Sequence, residues 1–140
     1  MFASCIKKQN DLKLLFHGLS TQEEKYEKII ELGRAAPSLS DADKIEENLV
    51  DGCQSIMYLK TTFNGERVTF QTESEALISS GLGVLLTCVY SGETPETILK
   101  CPPTYLDEIG ISSAISPNRA SGLYSLHLKM KQEAIKCLVG

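Results

Sequence analysis

Residues 76–92, ALISSGLGVLLTCVYSG, contain no charged side chain and are apolar on nearly every side of a helix. This pattern is typical of a buried central helix, which the rest of the chain must cover. Thr72 and Glu75 have the spacing of a capping box ahead of this helix, and Gly92 marks its end. Its small residues predict close packing against another element: Ser79, Ser80, Gly81 and Gly83.

Two helices are predicted before it. The first has an apolar stripe at helical spacing and ends near Gly18, with the stripe made of Leu12, Leu15, Phe16 and Leu19. The second starts in overlapping capping boxes and stops at Gly33. The boxes are Ser20 with Glu23 and Thr21 with Glu24. Residues 35–48 are rich in Pro, Ser and Asp and predict an exposed connection.

A β-hairpin is predicted between these helices and the apolar one. Residues 55–63 and 66–72 are β-branched and aromatic runs on either side of Asn64-Gly65, a pair that favours a type I′ turn.

Short helices are predicted after the apolar one, at Thr94-Pro95-Glu96 and at 105–109. Ser116-Pro117 opens a last helix with lysines outside and an inner face of Leu123, His127, Met130, Ala134 and Cys137. The sequence therefore predicts a single α+β domain over residues 1–140, with a small antiparallel sheet, helices packed at one face and both chain ends helical.

Length, charge and hydropathy argue against nucleic-acid-binding and membrane-spanning proteins. A chain of 140 residues with a net charge of −4 lacks the basic surface that nucleic acids require. No apolar run reaches the ~18 residues that would cross a membrane, and the first residues lack the pattern of a signal peptide. We therefore expect a cytoplasmic protein without nucleic-acid or membrane partners.

Five cysteines are scattered along the chain with no C-x-x-C pair, so neither a disulfide framework nor a zinc site is expected. Cys88 and Cys137 fall on predicted buried helix faces, where cysteine mostly behaves as a small apolar residue. Cys5 is predicted in a frayed end, and Cys101 lies beside a proline pair.

Cys53 has different surroundings, because it lies in a predicted loop directly after Gly52. A loop thiol is open to a reaction partner. The acidic neighbours Glu46, Glu47 and Asp51 raise a thiol's pKa, so Cys53 fits a sulfur acceptor better than a strong resting nucleophile. The residues alone leave open whether Cys53 is functional or structural.

The segment NLVDGCQSIMYL, residues 48–59, resembles the N-x-x-x-G-C-Q-S motif of the SufE family of cysteine desulfuration proteins. The segments EEKYEKIIELGRAAPSL and SEALISSGLGVLLTCVYSGETPETIL are similar to the family's second helix and to its helix after the hairpin. GISSAISPNRASGLYSL resembles its L-x-x-x-L-(S/T)-P-x-R-x-x-G-L segment. The likeness runs from about Leu12 to the end of the last helix.

This resemblance implies a SufE/IscU-like fold and a sulfur carrier that is not a stand-alone enzyme. A SufS-type cysteine desulfurase, carrying pyridoxal phosphate, would hold sulfur as a cysteine persulfide. Cys53 would accept that sulfur and pass it to a Suf cluster scaffold for iron-sulfur assembly. No cofactor is expected on this chain, which would be a monomer or a homodimer.

The resemblance also implies roles for other residues. Asn48, Gly52, Gln54 and Ser55 match the motif and would shape the loop. Arg119 would hold that loop or meet an acidic desulfurase residue, with a helix-terminus salt bridge as the alternative. Glu75 matches an acidic family position, and helix capping explains it equally well. Tyr58 stands where many members have tryptophan, and Ser79 or Ser80 where many have a basic residue.

Three other functions remain open from the residues. An IscU-like scaffold would need several clustered ligands, where this sequence has one loop cysteine. A thiol hydrolase would need His17 or His127 within hydrogen-bond reach of Cys53. A regulatory binding module would leave Cys53 inert.

Overall fold

The computed structural model describes residues 2–53 and 55–140. Within them the chain runs through two helices, a β-hairpin and five further helices. The elements are α1 (Ala3–Phe16), α2 (Gln22–Ala35), β1 (Met57–Phe63), β2 (Val68–Ser74), α3 (Leu77–Tyr90), α4 (Pro95–Lys100), α5 (Thr104–Ile109), α6 (Ile111–Ala114) and α7 (Pro117–Val139). The α+β arrangement with both ends helical is confirmed.

Helix α3 is the centre of the fold, as its sequence predicts. Side chains on nearly all of its faces are buried, and it packs most extensively against α2. Close approach depends on glycine: a Cβ on Gly33 would overlap the backbone of Leu77, and one on Gly81 would overlap the backbone of Ile29. On another face, a Cβ on Gly83 would overlap Thr72. The prediction of tight packing at these small residues is confirmed.

Strands β1 and β2 pair antiparallel with Met57 opposite Ser74 and Phe63 opposite Val68. Alternate residues are buried on one face, where α3 packs. The hairpin is confirmed, but its type I′ turn is wrong. A type I′ turn needs positive φ at both central residues. The Asn64 N–H donates to Arg67 O, so the central residues here are Gly65 and Glu66. Gly65 has a φ of 96°, whereas the φ of Glu66 is not positive. The Asn64 side chain instead accepts from the N–H groups of Glu66 and Arg67.

Helix α2 begins with one of its two predicted capping boxes, the pair Thr21 and Glu24. Thr21 is the N-cap, and it exchanges hydrogen bonds with Glu24 in both directions. Ser20 donates to the same Glu24 carboxylate, so the alternative box with Glu23 does not form.

The capping box predicted before α3 is wrong. Ala76 occupies the N-cap position without a side-chain cap, because Thr72 is buried within β2 and Glu75 is exposed. Capping therefore gives no explanation for Glu75.

Two predictions about cysteines are also corrected. Helix α1 begins at Ala3, well before its apolar stripe, so Cys5 lies in a formed helix and is completely buried. Cys88 is exposed, because it points away from the neighbours that cover the rest of α3. In α1 itself, Leu15 of the predicted stripe is exposed while Leu12 and Phe16 are buried.

The predicted starts of α4 and α7 are confirmed, whereas the short helix α6 was not predicted. Thr94 caps α4 and Ser116 caps α7, each followed by proline. On α7 the residues Leu123, Met130 and Ala134 are buried, together with Leu126, while His127 and Cys137 are partly buried. In the described part of the chain, no helix is long and apolar enough to cross a membrane.

The connection from α2 to the Cys53 loop lies along the hairpin. It contains two single-turn 3-10 helices, and Leu39 within it is buried. Ion pairs fasten it to the strands: Lys44 to Glu73 at 2.7 Å and Asp43 to Lys60 at 3.0 Å. The start of the Cys53 loop is thus fixed to the sheet.

Candidate functional site

The loop that carries Cys53 is closed at its base by the hairpin. The Val50 N–H donates to Met57 O at 2.9 Å, and the Glu75 N–H donates to Ile56 O at 3.3 Å. Gly52 lies at φ 85°, which a side chain would strain, and a Cβ there would come 2.7 Å from Ser125 Oγ on α7. The predicted requirement for glycine before Cys53 is therefore structural: it turns the chain against α7.

The thiol of Cys53 points at α7 and is half-buried. It donates a long hydrogen bond, 3.7 Å, to the carbonyl oxygen of Gly122. A largely apolar cavity of about 10 Å³ adjoins the sulfur, roughly the space one water needs. The cavity is lined by Cys53, Met57, Ser79, Leu82, Asn118, Arg119, Gly122, Leu123 and Leu126.

Arg119 joins three elements at this cavity. Its Nη1 donates to Ser55 Oγ at 2.8 Å, on the loop, and to Ser79 Oγ at 2.6 Å, on α3. Both partners are neutral hydroxyls, so the guanidinium keeps its full charge beside the thiol. The alternative of a helix-terminus salt bridge is not what these contacts show, and the predicted loop-holding contact is present.

The electrostatics of the site oppose a resting thiolate. Burial raises the pKa of Cys53, the nearby Arg119 charge lowers it, and Asp51 raises it again. Burial has the largest effect, so the thiol stays protonated near neutral pH in the free protein. Sequence reasoning anticipated the direction of this shift from Asp51 but not the burial or the opposing arginine.

The other predicted site residues lie at different distances from the sulfur. The Asn48 side chain donates to Asp43 O at 2.7 Å. This bond fixes the segment before the Cys53 loop and does not contact the tip of the loop. Glu75 touches the loop through its backbone, and its side chain is exposed. Gln54 lies outside the described residues.

Neither histidine lies at the site. His127 packs its ring against Tyr90, with centroids 5.4 Å apart, and burial lowers its pKa to about 4. His17 lies at the end of α1, beside Lys13 and Glu108. The described lining of the Cys53 cavity contains neither of them. The geometry therefore gives no support to a Cys/His hydrolase.

Sequence reasoning missed two residues that contact the site. Gly122 lies against the sulfur, since a Cβ built there would be 3.5 Å from Cys53 Sγ. Ser79 is predicted only to pack closely, yet it accepts from Arg119. The glycine three residues after Arg119 was visible in the S-P-x-R-x-x-G segment, whereas no sequence pattern indicates that Ser79 bonds Arg119.

Comparison with known proteins agrees with this geometry. The SufE domain, described as Fe-S metabolism associated, matches residues 10–134. The chain belongs to the SufE family. An uncharacterized SufE-like protein of Rhizobium meliloti is 32% identical over 124 residues, covering 85% of this chain and 89% of that protein. The cysteine desulfuration protein SufE of Plasmodium falciparum is 32% identical over 112 residues, 76% of this chain and 45% of its own length.

A solved structure has the same fold. The solution structure of a hypothetical protein from Thermus thermophilus superimposes with a TM-score of 0.76 at 22% identity. It covers 95% of this chain and 97% of that one. At this identity the comparison shows the shared fold, which is the arrangement predicted from the sequence. As a SufE-family domain, the chain has a role in iron-sulfur metabolism and in sulfur transfer.

Proposed function

We propose that this protein accepts persulfide sulfur from a SufS-type cysteine desulfurase onto Cys53 and delivers it to a Suf cluster scaffold. The observation that supports this most is the position of the Cys53 thiol, half-buried against Gly122 and beside a small apolar cavity and a cation. Persulfides react readily with solutes and other thiols. A carrier therefore needs a thiol that can be both reached and shielded.

The transfer step balances without an oxidant. The Cys53 thiolate attacks the outer sulfur of the desulfurase persulfide, and a new S–S bond forms on Cys53. The bond between the outer sulfur and the desulfurase cysteine breaks, and its electron pair stays on that cysteine. The Cys53 proton leaves before the attack, and the released desulfurase thiolate can take up a proton.

The raised pKa of Cys53 agrees with this role. A thiol that stays protonated in the free protein resists stray oxidants and alkylating reagents, because the thiolate is the reactive form. We infer that docking brings cationic groups of the desulfurase close enough to deprotonate Cys53. Alkylation by iodoacetamide tests this step, since Cys53 should react faster in the complex; equal rates with and without the desulfurase would contradict it.

Arg119 supports the same step from within the chain. Its contacts to Ser55 and Ser79 place a positive charge beside the thiol without neutralising it in an ion pair. That charge lowers the pKa of Cys53 and favours the anionic persulfide as well as the thiolate. Arg119 thus stabilises the charged forms that exist before and after transfer.

The cavity offers protection for the loaded form. Its volume of about 10 Å³ is enough for one additional small atom next to Sγ, and most of its lining is apolar. The loop must turn outward to meet the desulfurase and inward to shield the sulfur. Gly52, at positive φ, is the position where the loop backbone meets α7.

The chain acts in this proposal as a carrier and activator, not as a stand-alone enzyme. It binds no cofactor, because the pyridoxal phosphate chemistry belongs to the desulfurase. We place the pair in the cytoplasm, with the carrier active as a monomer or homodimer.

Desulfurase turnover tests the proposed function. Alanine release from cysteine should accelerate when the wild-type chain is added and should fall to the unaided rate with Cys53→Ser. Cys88→Ser is the matched control, because Cys88 is exposed yet lies away from the cavity. Equal stimulation by wild type and Cys53→Ser would overturn the proposal.

A further inference from the structure

A second pair of thiols lies away from the Cys53 cavity, between the first turn of α1 and the end of α4. Cys5 is fully buried and Cys101 is 4% exposed. A single amide contacts both sulfurs: Gln9 Nε2 is 3.8 Å from Cys5 Sγ and 3.5 Å from Cys101 Sγ. Cys101 is also close enough to contribute to the raised pKa of the Cys5 thiol.

Contacts on both sides hold this pair in place. The buried Gln9 also donates to Pro102 O at 3.1 Å, which ties α1 to the chain just after Cys101. Tyr90 OH donates to the carbonyl oxygen of Cys101 at 2.6 Å. Around Cys5, Ser4 and Lys8 both bond the buried carboxylate of Glu93, at 2.9 and 2.5 Å. Two cysteines far apart in sequence are thus fixed side by side.

We propose that Cys5 and Cys101 are a redox modification site, which a low-molecular-weight disulfide such as oxidised glutathione converts into an internal disulfide. A disulfide needs two cysteines held close together, and the shared contacts of the Gln9 amide hold both sulfurs near one point. The proposal is independent of sulfur transfer at Cys53, because neither cysteine lines that cavity.

The reaction balances as two thiol-disulfide exchanges. One cysteine loses its proton and attacks the oxidant, whose S–S bond breaks and releases one glutathione thiolate. The other cysteine then attacks the resulting mixed disulfide, forms the Cys5–Cys101 bond and releases the second glutathione. Two electrons pass from the two thiols to the oxidant, and the two cysteine protons end on the two glutathione thiols.

The surroundings of Cys5 and Cys101 favour slow formation of the disulfide and a stable disulfide once it has formed. Burial and the Cys101 interactions raise the pKa of Cys5 to about 12, so thiolate is scarce at rest. Access requires fraying of the first turn of α1, which has no side-chain cap. Once formed, the bond would close a loop from residue 5 to residue 101 and would fasten α1 to the body of the domain. Closing a loop of this length restricts the unfolded chain strongly.

Peptide mapping after native oxidation tests the proposal. A Cys53→Ser, Cys88→Ser double variant, which removes the loop thiol and the exposed one, would be incubated with oxidised glutathione, then unfolded, alkylated and digested. We expect a cross-linked peptide pair containing Cys5 and Cys101, a mass lower by two hydrogens, a higher melting midpoint and full reversal by dithiothreitol. The same peptide pair should form in the wild-type chain.

Adding Cys5→Ala or Cys101→Ala to the double variant should abolish both the cross-link and the rise in melting midpoint. Three results would overturn the proposal: glutathione adducts without a cross-link, pairing of either thiol with Cys137, or a cross-link that forms only in denaturant. The peptide pair is mapped on chains that retain both cysteines, so the test stands even if an alanine variant folds poorly.

Discussion

The thiol of Cys53 meets the backbone of Gly122 on α7, with Sγ 3.7 Å from the carbonyl oxygen. Residue 122 has no side chain, and a Cβ there would fill the space beside the sulfur, 3.5 Å from Sγ and 3.8 Å from the Cys53 Cα. A helix interior is an unfavourable place for glycine. The glycine therefore serves the space beside the sulfur and not the helix.

Replacing this glycine should separate stability from function. Gly122→Ala should raise the free energy of unfolding by up to about 1 kcal/mol, since alanine favours helix and its Cβ would make ordinary contacts. It should also reduce persulfide formation on Cys53 at least about fivefold, because the added atom crowds the loaded sulfur by about 1 kcal/mol or more. Urea unfolding and the mass of the loaded protein measure the two effects.

Ser121→Ala is the matched control for this variant, because Ser121 is exposed on the same helix. It should change neither measurement appreciably. Normal sulfur loading of Gly122→Ala would show that the space beside Gly122 is unimportant.

A second prediction concerns Gly81, where α3 crosses α2. Gly81→Ala puts a Cβ into the backbone of Ile29, which cannot move as a flexible side chain can. The variant should lose at least the ~1–3 kcal/mol typical of overpacked cores, in spite of alanine's better helix propensity. The midpoint of urea unfolding would fall, with Gly122→Ala as the glycine-to-alanine control that should not fall. An unchanged midpoint for Gly81→Ala would contradict the tight α2–α3 contact.

Removing either of two charges near Cys53 should shift its pKa, in opposite directions for Asp51 and Arg119. Asp51 raises the pKa of Cys53, so Asp51→Asn should move the pH profile of alkylation to lower pH. Arg119 lowers that pKa, so Arg119→Gln should move the profile to higher pH. Asp51 is exposed, so screening by solvent and salt should keep its shift small.

Alkylation of the Cys53 peptide by iodoacetamide, followed across pH by mass spectrometry, measures both shifts. Asp107→Asn removes an exposed charge that does not act on Cys53 and should leave the profile in place. Shifts of the same sign for Asp51→Asn and Arg119→Gln would refute the electrostatic description of the site.

Burial of His127 should make the folding stability of the protein depend on pH. Burial and then Lys131 lower its folded pKa to about 4, from the ordinary histidine value of 6.5. Between these values the unfolded chain binds the proton and the folded one does not, so stability is full above pH 6.5 and falls as pH drops toward 4. The loss is at most about 1.4 kcal/mol per pH unit.

His127→Phe keeps a ring against Tyr90 and removes the titration. The difference in urea midpoint between wild type and this variant should therefore change with pH only below about 6.5, in the variant's favour. A difference that is constant from about pH 7 to about pH 4.5 would exclude a buried neutral His127.

The fold was predictable from sequence wherever a local signal matched the packing. The apolar α3, the Thr21–Glu24 box and the proline starts of α4 and α7 all depend on neighbouring residues, and all are confirmed. The Thr72–Glu75 box failed because strand pairing extends through Ser74 and takes Thr72 into the sheet. The burial of Cys5 and the exposure of Cys88 depend on which elements cover them, and sequence spacing does not show this.

The motif predicted residues that the structure brings together, but it did not predict their contacts. The motif marks Cys53, Gly52 and Arg119, and the structure brings all three to the junction of the loop with α7. The bond from Arg119 to Ser79 links positions 40 residues apart, and no local pattern specifies such a contact. The roles predicted for Asn48, Gln54 and Glu75 stay predictions.

Locating transferred sulfur on the chain tests the central claim most directly. The protein would be incubated with a SufS-type cysteine desulfurase and ³⁵S-cysteine, quenched by alkylation without reductant, digested and mapped. The proposed function predicts one additional sulfur atom on the peptide containing Cys53, with none on the exposed Cys88 and none anywhere in Cys53→Ser. An unlabelled Cys53, or equal labelling of Cys88, would contradict it.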